Sequence, residues 1–313
     1  MVRKSWVREE DVERCSVADG GIIVTQRDEG ERMTTRTLLV GMVVVAMSAF
    51  LSVAQDATLD DLLTEADSAY DRWSVPFDFD AYEASLRRAV DLWEEALPRI
   101  PDEAVQTLSH VLVRLAQAEF ELAEAYLEGR EKEPAYERGK DHALRALRLE
   151  PTFDEVESAD GFRAALRSAT DVGAIFWYGN CLGQWLNYHK FTAIMGGVLD
   201  VAASFERSVE LDETYEGGGP QRAMGSLIAQ AYFVVGKNRV DCIEHFERAI
   251  ELEPNHLEAY VSYAASYASP AKDAELLDRL LSTVLALGED PDVMAVWPLY
   301  NTLSIERAGA LDG

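Results

Sequence analysis

The chain has 313 residues, 48% of them hydrophobic, and carries 29 Lys plus Arg against 56 Asp plus Glu, for a net charge of -27 and an isoelectric point near 4.5. That apolar content builds a real core and excludes a disordered chain, while the length fits one large domain or two ordinary ones. So negative a surface repels phosphate backbones and anionic lipid, which excludes nucleic acid as an expected partner and reads as a solvated acidic face.

Residues 1–32 are a mixed-charge stretch without pattern, expected to be a mis-called start extension or a disordered tail. Met33 and Arg36 stand before an uncharged run over 38–53, and Ser52-Val53-Ala54 supplies a small-x-small site, so 33–54 reads as a signal peptide cleaved before Gln55. An uncleaved anchor is the competing reading, although about 16 uncharged residues fall short of a span of roughly 20. Residues 55–313 are then expected to form one helical repeat domain.

Beyond Ala54 the apolar residues recur at helical spacing and no run alternates with a period of two, which predicts an all-α chain. The first helix opens at Thr58 with Asp61 three residues on, a capping-box pattern. A second starts at Asp80 and stops at Pro98. Further helices are predicted over 104–127, 135–149 and 198–211, with one long aromatic-rich helix over 161–188. Gly217-Gly218-Gly219-Pro220 is the strongest break, and helices over 222–235, 240–252, 257–268, 271–287 and 293–308 follow it.

Four helices share an ending. Ala89, Trp93, Ala96 and Pro101 match Gly139, Ala143, Ala146 and Pro151, then Val201, Phe205, Ser208 and Glu213, then Cys242, Phe246, Ala249 and Pro254. Small, large, small, then proline is the second helix of a tetratricopeptide (TPR) repeat, in which small residues admit the paired helix and the aromatic fills the groove. Tyr260, Tyr263, Ala264 and Tyr267 fit the first helix of such a repeat. The endings close unevenly, at positions 101, 151, 213 and 254, wider apart than the ~34 residues of a regular repeat. Irregular TPR-like hairpins stacked into a compact curved bundle are the expected architecture.

Within this pattern, Trp177-Tyr178-Gly179-Asn180, Leu182-Gly183-Gln184-Trp185, Phe205 to Asp212, Tyr215, Arg222, Gly225 and Glu244 to Ala249 form a series that resembles the TRAP-transporter T-component (TatT) family. The resemblance covers roughly residues 58–287. It implies an exported, periplasmic helical protein that forms a homo-trimer, pairs with the substrate-binding P component of a TRAP transporter and encloses a channel for ligand. Family members are typically lipoproteins, yet no cysteine follows the apolar segment here, so lipid anchoring does not carry over.

Trp177, Asn180, Cys181, Gln184 and Trp185 share one helical face. A core stripe whose amides bond to neighbouring backbone is the simpler explanation; an aromatic channel wall for an organic ligand with a carboxylate or hydroxyl is the functional one. Tyr178, Tyr215 and Arg222 complete the ligand candidates. Gly179 and Gly183 are expected to admit a close helix, and the glycine run before Arg222 reads as a turn sooner than an anion site. Neither the five histidines nor Cys15, Cys181 and Cys242 fall in a metal-binding or nucleophilic pattern, so no catalytic residue, metal or cofactor is expected. An accessory uptake component is the first functional reading, a general TPR scaffold of the cell envelope the alternative, and an enzyme the weakest.

Overall fold

The computed structural model describes residues 57–71 and 77–312, so the expected leader and the stretch before it lie outside the described residues. Thr58 opens helix α1 (Leu59–Tyr70) as a capping box: its hydroxyl accepts from the Asp61 N–H at 3.2 Å, and the Asp61 carboxylate accepts from the Thr58 N–H at 3.1 Å. Two N–H groups that a helix start leaves unpaired are thereby satisfied. Asp78 caps α2 (Phe79–Ala96) by accepting from the Ala81 N–H at 2.9 Å. Next come α3 (Val105–Tyr126) and α4 (Lys132–Leu147), packed on each other as α1 is on α2.

The expected long helix over 161–188 is divided into α6 (Phe162–Ser168) and α7 (Val172–Trp185). The cause is Glu150, whose carboxylate accepts from the backbone N–H groups of Thr170 at 2.9 Å and Asp171 at 3.1 Å. Asp171 in turn caps α7 through the Ala174 N–H at 3.0 Å, so the chain is pinned outside helical geometry there. A short α5 (Phe153–Asp160) precedes them where the spacing predicts no helix. α8 (Val198–Asp212) packs along α7, and α9 (Tyr215–Ala231) pairs with α10 (Cys242–Leu252).

The last quarter holds α11 (Glu258–Tyr263), α12 (Ala274–Gly288), α13 (Pro291–Val296) and α14 (Pro298–Asp312). The single helix expected over 293–308 is thus two. Trp297 stands before Pro298, whose ring disfavours helical backbone in the residue ahead, and takes φ -132° and ψ 62°. The architecture is all-α, with no strand among the described residues.

The shared endings are where the hairpins lock. Ala89, Trp93 and Ala96, Gly139, Ala143 and Ala146, Val201, Phe205 and Ser208, and Cys242, Phe246 and Ala249 are all buried. A Cβ on Gly179 of α7 would stand 2.7 Å from the Phe205 ring, and one on Gly225 of α9 3.1 Å from Phe246. Each aromatic therefore occupies the space its partner glycine leaves open. Phe246 also stacks on Tyr263 of α11, with ring centroids 5.0 Å apart, which joins one hairpin to the next. Ala264 is fully buried, and Tyr260 and Tyr267 are half-buried. Pro101, Pro151 and Pro254 stand exposed in the connections, where they end helices and pack nothing. Cys181 and Cys242 are both buried free thiols.

The final helix closes the bundle. Leu299 and Leu303 of α14 enter the apolar cluster formed by α1, α2 and α3. Burying two leucines there contributes on the order of 3–6 kcal/mol, and it sets α14 beside α3 across the middle of the fold.

Candidate ligand-binding site

Helices α3, α7, α8, α9, α11 and α14 together enclose a cavity of about 440 Å³. Its apolar wall carries Phe120 from α3, Phe176 and Trp177 from α7 and Phe205 from α8. Trp177 is fixed in place: its Nε1–H donates to the Tyr215 hydroxyl at 3.1 Å, and Phe120 and Phe176 hold its ring at centroid distances of 5.5 and 5.0 Å.

The lining also carries charged side chains. Arg307 of α14 donates to Glu124 of α3 at 2.6 Å and lies 3.5 Å from Glu258 of α11. Arg222 of α9 lies 3.3 Å from the same Glu258 and is only 9% exposed, and its Nη1 is buried with no hydrogen-bond partner among the described residues. Glu216, also in the wall, makes no ion pair among the described residues and accepts only a long 3.4 Å hydrogen bond from Gln117 Nε2. Enclosure by the fold raises its carboxyl above the usual range, and the more distant charges of Arg114 and Arg222 offset this only in part.

Tyr300 links the wall to a deeper cluster. Its hydroxyl donates to Glu121 at 2.8 Å, as do the Tyr70 hydroxyl at 2.9 Å and Gln117 Nε2 at 3.2 Å. Burial outweighs those three bonds and pushes the Glu121 carboxyl up to about 7. Beside Tyr300, His256 is enclosed by the Trp297 and Tyr300 rings with neither ring nitrogen hydrogen-bonded, and burial followed by the Arg222 charge holds its imidazole well below its ordinary value.

The glycine break gives this side of the cavity its shape. Glu216, Gly217 and Gly218 take φ values of 48°, 58° and 77°, a left-handed run that kinks the start of α9. A Cβ on Gly217 would meet Trp297 at 2.8 Å, one on Gly218 the Ala249 backbone at 3.1 Å and one on Gly219 the Phe176 ring at 2.8 Å. Close approach of α7, α10 and the α13–α14 turn accounts for the glycines.

Of the residues singled out in the sequence, Trp177, Asn180, Gln184 and Arg222 meet in the cavity wall. Asn180 also donates Nδ2–H to the Phe176 carbonyl at 2.9 Å, and the Gln184 carbonyl accepts from Asn187 Nδ2 at 3.1 Å. Tyr215 stands behind Trp177. Tyr178 points the other way, its ring 5.5 Å from Phe162, and Trp185 stacks on His189 at 3.6 Å with Lys140 over its face at 5.2 Å. Glu124, Glu216, Glu258, Tyr300 and Arg307 are additions from the structure. One sequence signal bears on them: Gln117, Glu121 and Glu124 interrupt the apolar face of α3 at helical spacing, which predicts a buried polar stripe.

With the geometry in hand, comparison with known families shows that the TRAP transporter T-component family model aligns with residues 114–312, well over half of the chain and every residue that lines the cavity. No curated protein matches the chain.

Proposed function

The chain belongs to the TRAP transporter T-component family, and from that premise we propose that it is a non-catalytic periplasmic accessory protein that docks the substrate-binding P component and takes a small organic ligand into its cavity. The observation that carries the reading is the cavity itself, lined by both aromatic rings and the Arg222 guanidinium. Rings bury an apolar frame, and a guanidinium in a sheltered wall binds a carboxylate by paired, charge-assisted hydrogen bonds. Export by the segment over 33–54, a TPR-like origin of the hairpins and assembly as a trimer belong to the same reading. Among the described residues no helix is long and apolar enough to cross a membrane.

Exposed apolar side chains support a docking role. Phe191, Ile194 and Met195 lie in the α7–α8 connection, which supplies Lys190 and Ala193 to the cavity wall, and Phe233 follows α9 just beyond Ala231 of that wall. The test is to mix the purified chain with a TRAP P component from the same organism and follow sedimentation velocity. A complex at micromolar concentration is expected; two independent boundaries at every concentration would leave the general scaffold as the better reading.

A further inference from the structure

We propose that the cavity ligand is a small zwitterion of amino-acid type, whose carboxylate meets Arg222 and whose ammonium meets Glu216. The inference rests on the reading of the cavity as a ligand site and names the class of ligand it takes.

Charge accounting around the cavity leads there. Glu124, Arg307 and Glu258 form a connected chain of ion pairs, with Arg307 bridging both carboxylates. Among the described residues Arg222 has Glu258 as its one ion-pair partner, shares it with Arg307, and keeps Nη1 without a hydrogen bond. An unsatisfied donor on so buried a guanidinium is costly, and an incoming anion relieves it. Glu216 is the matching case of opposite sign. It is the cavity carboxylate with no ion pair among the described residues, and Gln117 supplies its long hydrogen bond. Arg114, the first of the cations acting on it, makes no ion pair with it and instead donates to Gln117 Oε1 at 3.3 Å and lies over the Tyr70 ring.

Lys190, the other wall cation with no ion pair among the described residues, is exposed to solvent, so the wall leaves one buried positive group and one negative group open, six positions apart on α9. A monocarboxylate satisfies Arg222 and brings a second negative charge toward Glu216, where repulsion is strong because little water screens it. An amine alone satisfies Glu216 and leaves Arg222 open. A zwitterion answers both, and the rings of Phe120, Phe176 and Trp177 take its apolar part. Enclosure raises the Glu216 carboxyl, and an ammonium seated beside it draws the carboxyl back to the ionised form.

The experiment is calorimetric titration of the purified chain with two matched sets: leucine, 4-methylpentanoate and 3-methylbutylamine, and phenylalanine, 3-phenylpropionate and 2-phenylethylamine. In at least one set the zwitterion is expected to bind about tenfold or more tightly than either singly charged analogue. Glu216→Gln is expected to lower zwitterion affinity to that of the carboxylate alone while the carboxylate binds no worse, and Arg222→Gln to abolish binding of both. Equal affinity for zwitterion and carboxylate, or indifference of the zwitterion to Glu216→Gln, overturns the inference and leaves the cavity standing as an organic-acid site. Absence of binding by all six compounds overturns the cavity reading and this inference with it. Circular dichroism of each variant checks folding, and Glu216→Gln carries the test alone if Arg222→Gln unfolds.

Discussion

Glu121 shows what a single carboxyl does when the fold surrounds it with phenols. Its Oε1 accepts from Tyr70, Tyr300 and Gln117, while Oε2 is buried with no partner. Its ordinary value of 4.5 rises to about 7 because burial opposes the charge more than the three donors favour it. The folded protein therefore holds a proton that the unfolded chain releases, so stability from this group is full below pH 4.5 and is lost as pH rises to about 7. The loss is on the order of 3 kcal/mol. Glu121→Gln keeps an oxygen for the two tyrosines and cannot ionise. Urea denaturation should show the variant more stable than the parent at pH 8 and no more stable at pH 4.5; a parent whose midpoint rises between pH 5 and 7.5 by as much as the variant's would contradict this.

Elements were largely legible because the signals that set them are local. The Thr58–Asp61 box and the small–large–small endings each depend on residues within one or two turns, and the structure buries every triplet. The division of 161–188 was not legible, since Glu150 acts on Thr170 and Asp171 from about twenty positions away. The cavity charges were hidden for a related reason: in a chain with 56 acidic residues, nothing local separates Glu216 or Glu258 from a solvated carboxylate. The expectation that Gly179 and Gly183 both admit a close helix divides between them. A Cβ at Gly179 would stand 2.7 Å from Phe205 and 2.9 Å from Ser204 Cβ, whereas at Gly183 the nearest atom is Val201 at 3.7 Å. Gly179→Ala should cost about 1–3 kcal/mol by overpacking. Gly183→Ala, one turn further along α7, should be neutral or stabilise by up to about 1 kcal/mol because alanine favours the helix. Thermal unfolding of the two variants gives the comparison, and similar losses in both would refute the packing geometry described for α7 and α8.

At the scale of the whole molecule, part of the cavity wall comes from segments that also carry exposed apolar side chains. A chain with net charge -27 is polar over most of its exterior, yet Phe191 is 77% exposed, Ile194 82%, Met195 69% and Phe233 74%. They follow the C-terminal ends of α7 and α9 and precede the N-terminal end of α8, which the pairing of these helices brings to one end of the bundle. Leaving such side chains in water forgoes roughly 1.5–3 kcal/mol apiece, and a cluster of them marks a surface suited to a partner. Under the proposed docking role, the P component would cover them and lie against segments that supply Lys190, Ala193 and Ala231 to the cavity wall. Phe191→Ser with Met195→Ser removes two of the exposed side chains and no core contact, so unfolding stability should stay within about 0.5 kcal/mol of the parent. Affinity for the P component, measured by sedimentation or surface binding, should fall by about tenfold or more. Unchanged affinity would remove this end of the bundle as the docking face, and a drop in the variant's own oligomeric state would assign the same side chains to contacts between copies of the chain.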